Sequence, residues 1–157
     1  MRVLDALEDW PVPTAAAAVV GPDGVLACHG DIARPFGLAS VTKPLAARAV
    51  QIAVEEGALE LATAAGPPGS TVRHLLAHTS GLTMHSDLVL APPGTRRIYS
   101  NYGFAVLAET LQQASGIDFE RYLLEAVCEP LGMSTTRLAE GAPAAGFGAT
   151  STVADLA

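Results

Sequence analysis

Two short apolar runs, AAAAVV at residues 15 to 20 and VLAC at residues 25 to 28, stand on either side of GPDG. A Gly/Pro/Asp turn between two such runs predicts a β-hairpin, and it is the one convincing strand signal in the sequence. The spacing of apolar positions then lengthens. In FGLASVTKPLAARAVQIAVEEGAL, residues Leu45, Ala49, Ile52 and Ala53 recur at helical intervals, and Gly57 supplies a stop. Pro44 sets where that helix begins: a residue without an N–H is tolerated only in the first turn, so the helix cannot start much before Ser40.

Further along, Ser70 or Thr71 is the expected N-cap of a short helix over VRHLLAH, closed by Gly81. APPGTRR reads as a loop. Ser100 or Asn101 can cap NYGFAVLAETLQQAS, which stops at Gly116, and Asp118 can cap FERYLLEAVCE, ended by Pro130 and Gly132. Ile117 and Tyr122 occupy the two positions of a hydrophobic staple around that cap. The Ala/Gly/Pro run from Gly141 to Gly148 reads as a flexible loop. Thr152, with Asp155 three residues on, looks like a helix start just before the last residue, Ala157. One helical turn does not offset its own nucleation, and a lone hairpin leaves an apolar face uncovered. The expectation is a chain whose C-terminal continuation is missing and which self-associates or is completed by a separate C-terminal segment.

Composition narrows the class. With 157 residues, one domain spanning residues 1–157 is expected; 50% hydrophobic but only 5% aromatic residues favour closely packed helices, so helix is expected to dominate. A net charge of −7 argues against nucleic-acid binding. Asp5, Glu8 and Asp9 interrupt what a secretory signal would need, and no apolar stretch reaches membrane-spanning length, so a cytoplasmic protein with no membrane partner is expected. Cys28 and Cys128 read as two buried free thiols, and no His, Cys or acidic spacing suggests a metal.

The chemistry begins at SVTK, Ser40 to Lys43. Positions i and i+3 share a helix face, so the amine can reach the hydroxyl, and the positive end of the helix stabilises a developing alkoxide on Ser40. Taken alone, S-x-x-K is better explained by a capping serine and a solvated lysine. The second element is YSN, Tyr99 to Asn101, directly before a helix. There a phenol and a carboxamide one residue apart can project into one cleft, as proton relay and as hydrogen-bonding group for a substrate carbonyl. His78, next to Ser80, reads as a structural residue that satisfies backbone groups.

The ordered series FGLASVTKPL, HLLAHTSGL, PPGTRRIYSNYGFAVLAETL, YLLEAVCEPLGMSTT and TSTVADLA resembles the N-terminal part of the β-lactamase and penicillin-binding-protein superfamily, in its branch of class C β-lactamases, D-alanyl-D-alanine carboxypeptidases and esterases. The resemblance implies that superfamily's α/β fold, rich in helix: the hairpin, the helix bearing the nucleophile and most of the all-helical region, without the C-terminal sheet strands. It implies Ser40 as acylated nucleophile, Lys43 as proton acceptor, Tyr99 as proton shuttle and Asn101 as substrate-orienting group, with no metal or organic cofactor. The substrate would be a small ester, amide or β-lactam. Half of the oxyanion hole would come from the backbone N–H of Ser40 and half from a later strand bearing K-T-G or H-x-G, and no such tripeptide follows Asn101. The alternative is a catalytically inactive fragment or pseudoenzyme that serves as a binding module.

Overall fold

The computed structural model describes residues 2–157. They form a mixed α/β fold, a set of packed helices with two small antiparallel sheets. The predicted hairpin is β1 (Ala17–Gly21) and β2 (Gly24–His29), in register from Ala17 opposite His29 to Gly21 opposite Gly24, with an irregularity between Val19 and Val20. Val20, Val25 and Leu26 are exposed on it. Cys28 is exposed as well, against the expectation of a buried thiol, and so are Val25 and Leu26 of the same strand; Cys128 is buried as expected.

A second sheet, absent from the sequence expectations, joins β3 (Phe36–Gly37), β4 (Arg137–Leu138) and β5 (Ala149–Ser151) in the order β3-β5-β4. Strands this short carry no period-2 pattern, and their pairing unites residues from opposite ends of the chain, such as Phe36 with Ser151. Its role is positional. β5 lies against the segment that leads into the first helix: Leu38 N–H donates to the Ala149 carbonyl at 2.8 Å, and Ala149 N–H donates to the Thr42 hydroxyl at 3.0 Å.

The helices are α1 (Thr42–Glu55), α2 (Val72–Leu76), α3 (Asn101–Ser115), α4 (Phe119–Leu123) and α5 (Val153–Leu156). The buried face of α1 is largely alanine: Ala46, Ala49 and Ala53 are fully covered, beside Val50. The small side chains let α1 come close to α3, which meets it with Phe104, Leu107, Ala108 and Leu111. Ser100 caps α3, its hydroxyl accepting from Gly103 N–H at 2.8 Å, and Gly116 closes it in the left-handed region at φ 72°.

Three expectations are corrected. α2 is closed by His78, whose φ of +57° turns the chain before Gly81 is reached. Asp118 sits at the N-cap of α4 but its side chain makes no capping bond; the Gln112 amide oxygen accepts from Phe119 N–H at 3.4 Å in its place. Gly141 to Gly148 is not a flexible loop. Ala142–Gly146 form a 3₁₀ turn with Ala144, Ala145 and Gly146 buried against α3. A Cβ on Gly146 would stand 3.2 Å from the Asn101 carbonyl oxygen, so the small residues serve close packing, not mobility.

The four-residue α5 persists because its ends are tied. Thr152 accepts from Asp155 N–H at 3.0 Å. The Asp155 carboxylate in turn accepts from Thr135 N–H at 3.0 Å and from the Thr135 and Thr136 hydroxyls, each at 2.7 Å. Partial desolvation pushes this carboxyl up, but the Thr135 and Thr136 hydrogen bonds outweigh it and hold Asp155 below the ordinary carboxylate value. A depressed carboxyl stabilises the fold above its unfolded value, and the contribution is lost as pH falls through its folded value. Asp155→Ala is therefore expected to destabilise the fold at neutral pH, by about 0.5–1.5 kcal/mol because water screens this partly exposed carboxylate. Thermal melts from neutral to acid pH check this: the gap between the variant and wild type should close below the usual carboxylate range.

Candidate active site

Ser40 lies in a 3₁₀ turn, Ala39–Val41, that runs straight into α1. The turn leads directly into the first turn of α1, and residues three apart across that junction share a face, so Ser40 stands beside Lys43. The turn is entered through Ala39 at φ +45°, a left-handed conformation unusual for alanine, and Ser40 emerges exposed while Thr42 and Lys43 point inward. Lys43 is 6% exposed. Its Nζ lies 3.5 Å from Ser40 Oγ and donates at 2.6 Å to Asn101 Oδ1 and at 2.6 Å to the Gly146 carbonyl.

The YSN residues arrive from the start of α3. The Tyr99 hydroxyl donates to Ser40 Oγ at 2.7 Å, and Lys43 Nζ stands 4.5 Å from the centroid of the Tyr99 ring. The loop is fixed by its own polar groups. Asn101 and Tyr102 N–H both donate to the Met84 carbonyl, at 3.0 and 3.1 Å, and the Ser100 hydroxyl donates to the Thr83 carbonyl at 2.6 Å. Thus the four residues singled out from the sequence, Ser40, Lys43, Tyr99 and Asn101, form one cluster linked by hydrogen bonds.

The electrostatics follow from the same contacts. Desolvation raises the Tyr99 phenol, but its interactions with the Lys43 ammonium and the Ser40 hydroxyl, and the charge of Lys43, together bring it below the ordinary phenol value. His78 is held below the ordinary imidazole value by burial first, then by the charges of Lys43 and Arg97. Its ring Nδ1 accepts from Ser100 N–H at 3.1 Å, as expected of a residue that satisfies backbone. Ser80 is buried and makes only a 3.5 Å contact with Leu82 N–H, away from the cluster.

One functional group escaped the sequence reading: the Gly146 carbonyl, which the structure brings to Lys43 across 103 residues of chain. The small-residue run around it was the available signal. Beside Asn101 opens a mainly apolar cleft of about 370 Å³, with Met84, Tyr102, Pro143 and Phe147 among its walls. Among the described residues, no group of three or more His, Cys, Asp or Glu side chains converges as a metal site, and no helix is long and apolar enough to cross a membrane.

A hydroxyl, an amine and a phenol linked by hydrogen bonds thus lie over a packed helical layer. The family model described as beta-lactamase matches residues 6–155, and the chain belongs to that family. A crystal structure of a β-lactamase from Mycobacterium bovis is 76% identical, superposes with a TM-score of 0.96, and is matched over 98% of this chain and 56% of that one. A penicillin-binding protein of Bacillus subtilis is 29% identical over 136 residues, which is 66% of this chain and 30% of the relative. A penicillin-binding protein structure from Bacillus halodurans, 22% identical with a TM-score of 0.85 over 99% of this chain and 70% of that one, shows the shared fold. The chain therefore spans about half the length of its Mycobacterium bovis relative and less than a third of the Bacillus subtilis one.

Proposed function

We propose that the protein acts in acyl transfer through an acyl-enzyme on Ser40, with an ester, amide or β-lactam as the bond attacked. The observation that carries this reading is the convergence on Ser40 Oγ of Tyr99 OH at 2.7 Å and Lys43 Nζ at 3.5 Å. An uncharged amine has two N–H bonds and one lone pair. As an ammonium Lys43 directs its N–H bonds to Asn101, Gly146 and Ser40; in the uncharged form that takes the proton, the 2.6 Å acceptors on Asn101 and Gly146 keep the two N–H bonds and the lone pair faces Ser40. As the Oγ–carbonyl bond forms, the Ser40 proton passes to Lys43; Tyr99 then gives a proton to the departing atom, and is resupplied from Lys43, as the carbonyl–leaving-group bond breaks. Water afterwards cleaves the acyl ester. Asn101 orients the substrate carbonyl, and the apolar cleft beside it receives the acyl side chain.

Peptide mass mapping after treatment with a fluorophosphonate tests the assignment. In a full-length protein that carries the later strand, the adduct should fall on Ser40 and be absent from Ser40→Ala, whereas residues 1–157 alone should label weakly or not at all. An adduct on Ser80 or Ser100 with Ser40 unmodified would overturn it, and reversible ligand binding without any adduct would point to the binding-module alternative.

A further inference from the structure

We propose that His78 is the positioning residue for Tyr99, and that it works only as a neutral imidazole whose Nδ1 carries no proton. The inference rests on the reading of Tyr99 as proton relay. Its basis is a bracket. Ile98 N–H donates to the His78 backbone carbonyl at 2.7 Å, and Ser100 N–H donates to His78 Nδ1 at 3.1 Å. The two backbone donors that flank Tyr99 are thus both held by one residue. The Tyr99 ring lies on the His78 ring, centroids 4.5 Å apart and tilted by 34°, and Phe104 of α3 supports the imidazole from 5.2 Å. Backbone and side chain of Tyr99 are therefore referred to the same group, which fixes the phenol at Ser40 although Tyr99 itself is 42% exposed.

The conformation of His78 adds to the case. At φ +57° a glycine or asparagine would be the less strained choice, yet this position carries an imidazole that is 7% exposed. Backbone turning alone does not call for that ring; accepting from Ser100 N–H does. A protonated ring would aim an Nδ1–H at the Ser100 N–H, replacing a bond by two opposed donors. The charged groups acting on the ring are Lys43 from α1 and Arg97 from the loop before Tyr99, both cationic, and both oppose protonation. The bracket should therefore hold at neutral pH and open only in acid below 6.5, the ordinary imidazole value.

The experiment uses protein labelled with ¹⁵N in histidine and ¹³Cζ in tyrosine, together with the fluorophosphonate rate at Ser40. At pH 7 the His78 Nδ1 should resonate as an unprotonated ring nitrogen and Nε2 as a protonated one. On acidification the Tyr99 Cζ resonance should move in step with His78 protonation. Asparagine places an acceptor near the Nδ1 position and tolerates the left-handed backbone, so His78→Asn should keep the pH 7 rate within about threefold while flattening the acid limb of the pH profile. His78→Leu should slow acylation about 10- to 100-fold with little change in reversible inhibitor affinity, the loss expected of a displaced catalytic group. A proton on Nδ1 at pH 7, a Tyr99 resonance indifferent to His78 titration, or a folded His78→Leu with the wild-type rate would each overturn the proposal. Should Ser40 fail to react in the wild type, the acyl-enzyme reading falls on that result alone, and the tautomer and Tyr99 resonance still decide whether His78 holds the phenol.

Discussion

Lys43→Ala is expected to slow acylation of Ser40 by about 10²- to 10⁴-fold, the range typical for loss of a positioned general base. Lys43 is also part of the packing. Its Nζ is the donor to the Gly146 carbonyl and to Asn101 Oδ1, and their loss of that donor should cost about 1–3 kcal/mol of stability as well. The two effects separate by experiment: the fluorophosphonate rate reads the base, and urea denaturation reads the packing. Lys43→Arg sharpens the test, because a guanidinium stays protonated and has no lone pair to offer. A variant that keeps the positive charge and still loses the rate shows proton acceptance; a rate preserved in either variant removes Lys43 from that role.

Tyr99→Phe should lower the acylation rate by about 10²-fold or more while leaving reversible inhibitor affinity nearly unchanged, since a proton relay acts in the transition state and not in the bound ground state. Asn101→Ala should lose both, because its amide orients substrate and its oxygen holds Lys43 at 2.6 Å. The pH profile carries a second signature. A relay must hold its proton to deliver it, and the phenol sits below its ordinary value of 10.0, so the basic limb of the wild-type rate should begin below that pH. In Tyr99→Phe that limb should vanish. A variant that loses affinity alone, with its basic limb intact, would take Tyr99 out of the mechanism.

The parts of this molecule that were legible in the sequence are those encoded over short stretches. Gly57 and Gly116 ended their helices where expected, Ser100 capped α3, and the GPDG turn made its hairpin. The pairing of Ser40 with Lys43 was readable because three residues of separation have only a few geometries. Illegible were the features that depend on distant chain. The β3-β5-β4 sheet has no periodicity to betray it, and the alanines and glycines of residues 142–146 look alike whether they swing in solvent or pack on α3. His78 was recognised as a residue that satisfies backbone, but which backbone it satisfies could only be seen in three dimensions.

On the proposed reading, the carbonyl of Gly146 bears on when during synthesis Lys43 can be aimed at Ser40. Ser40 and Lys43 leave the ribosome almost together; Asn101 follows 58 residues after Lys43, and Gly146 comes 103 residues after it. Until that last turn is out and docked on α3, the lysine has no fixed pair of acceptors to aim its lone pair, and closing so long a loop is a late event in folding. On the proposed reading of Ser40 and Lys43, the amine cannot be aimed at the hydroxyl before residue 146 has been made.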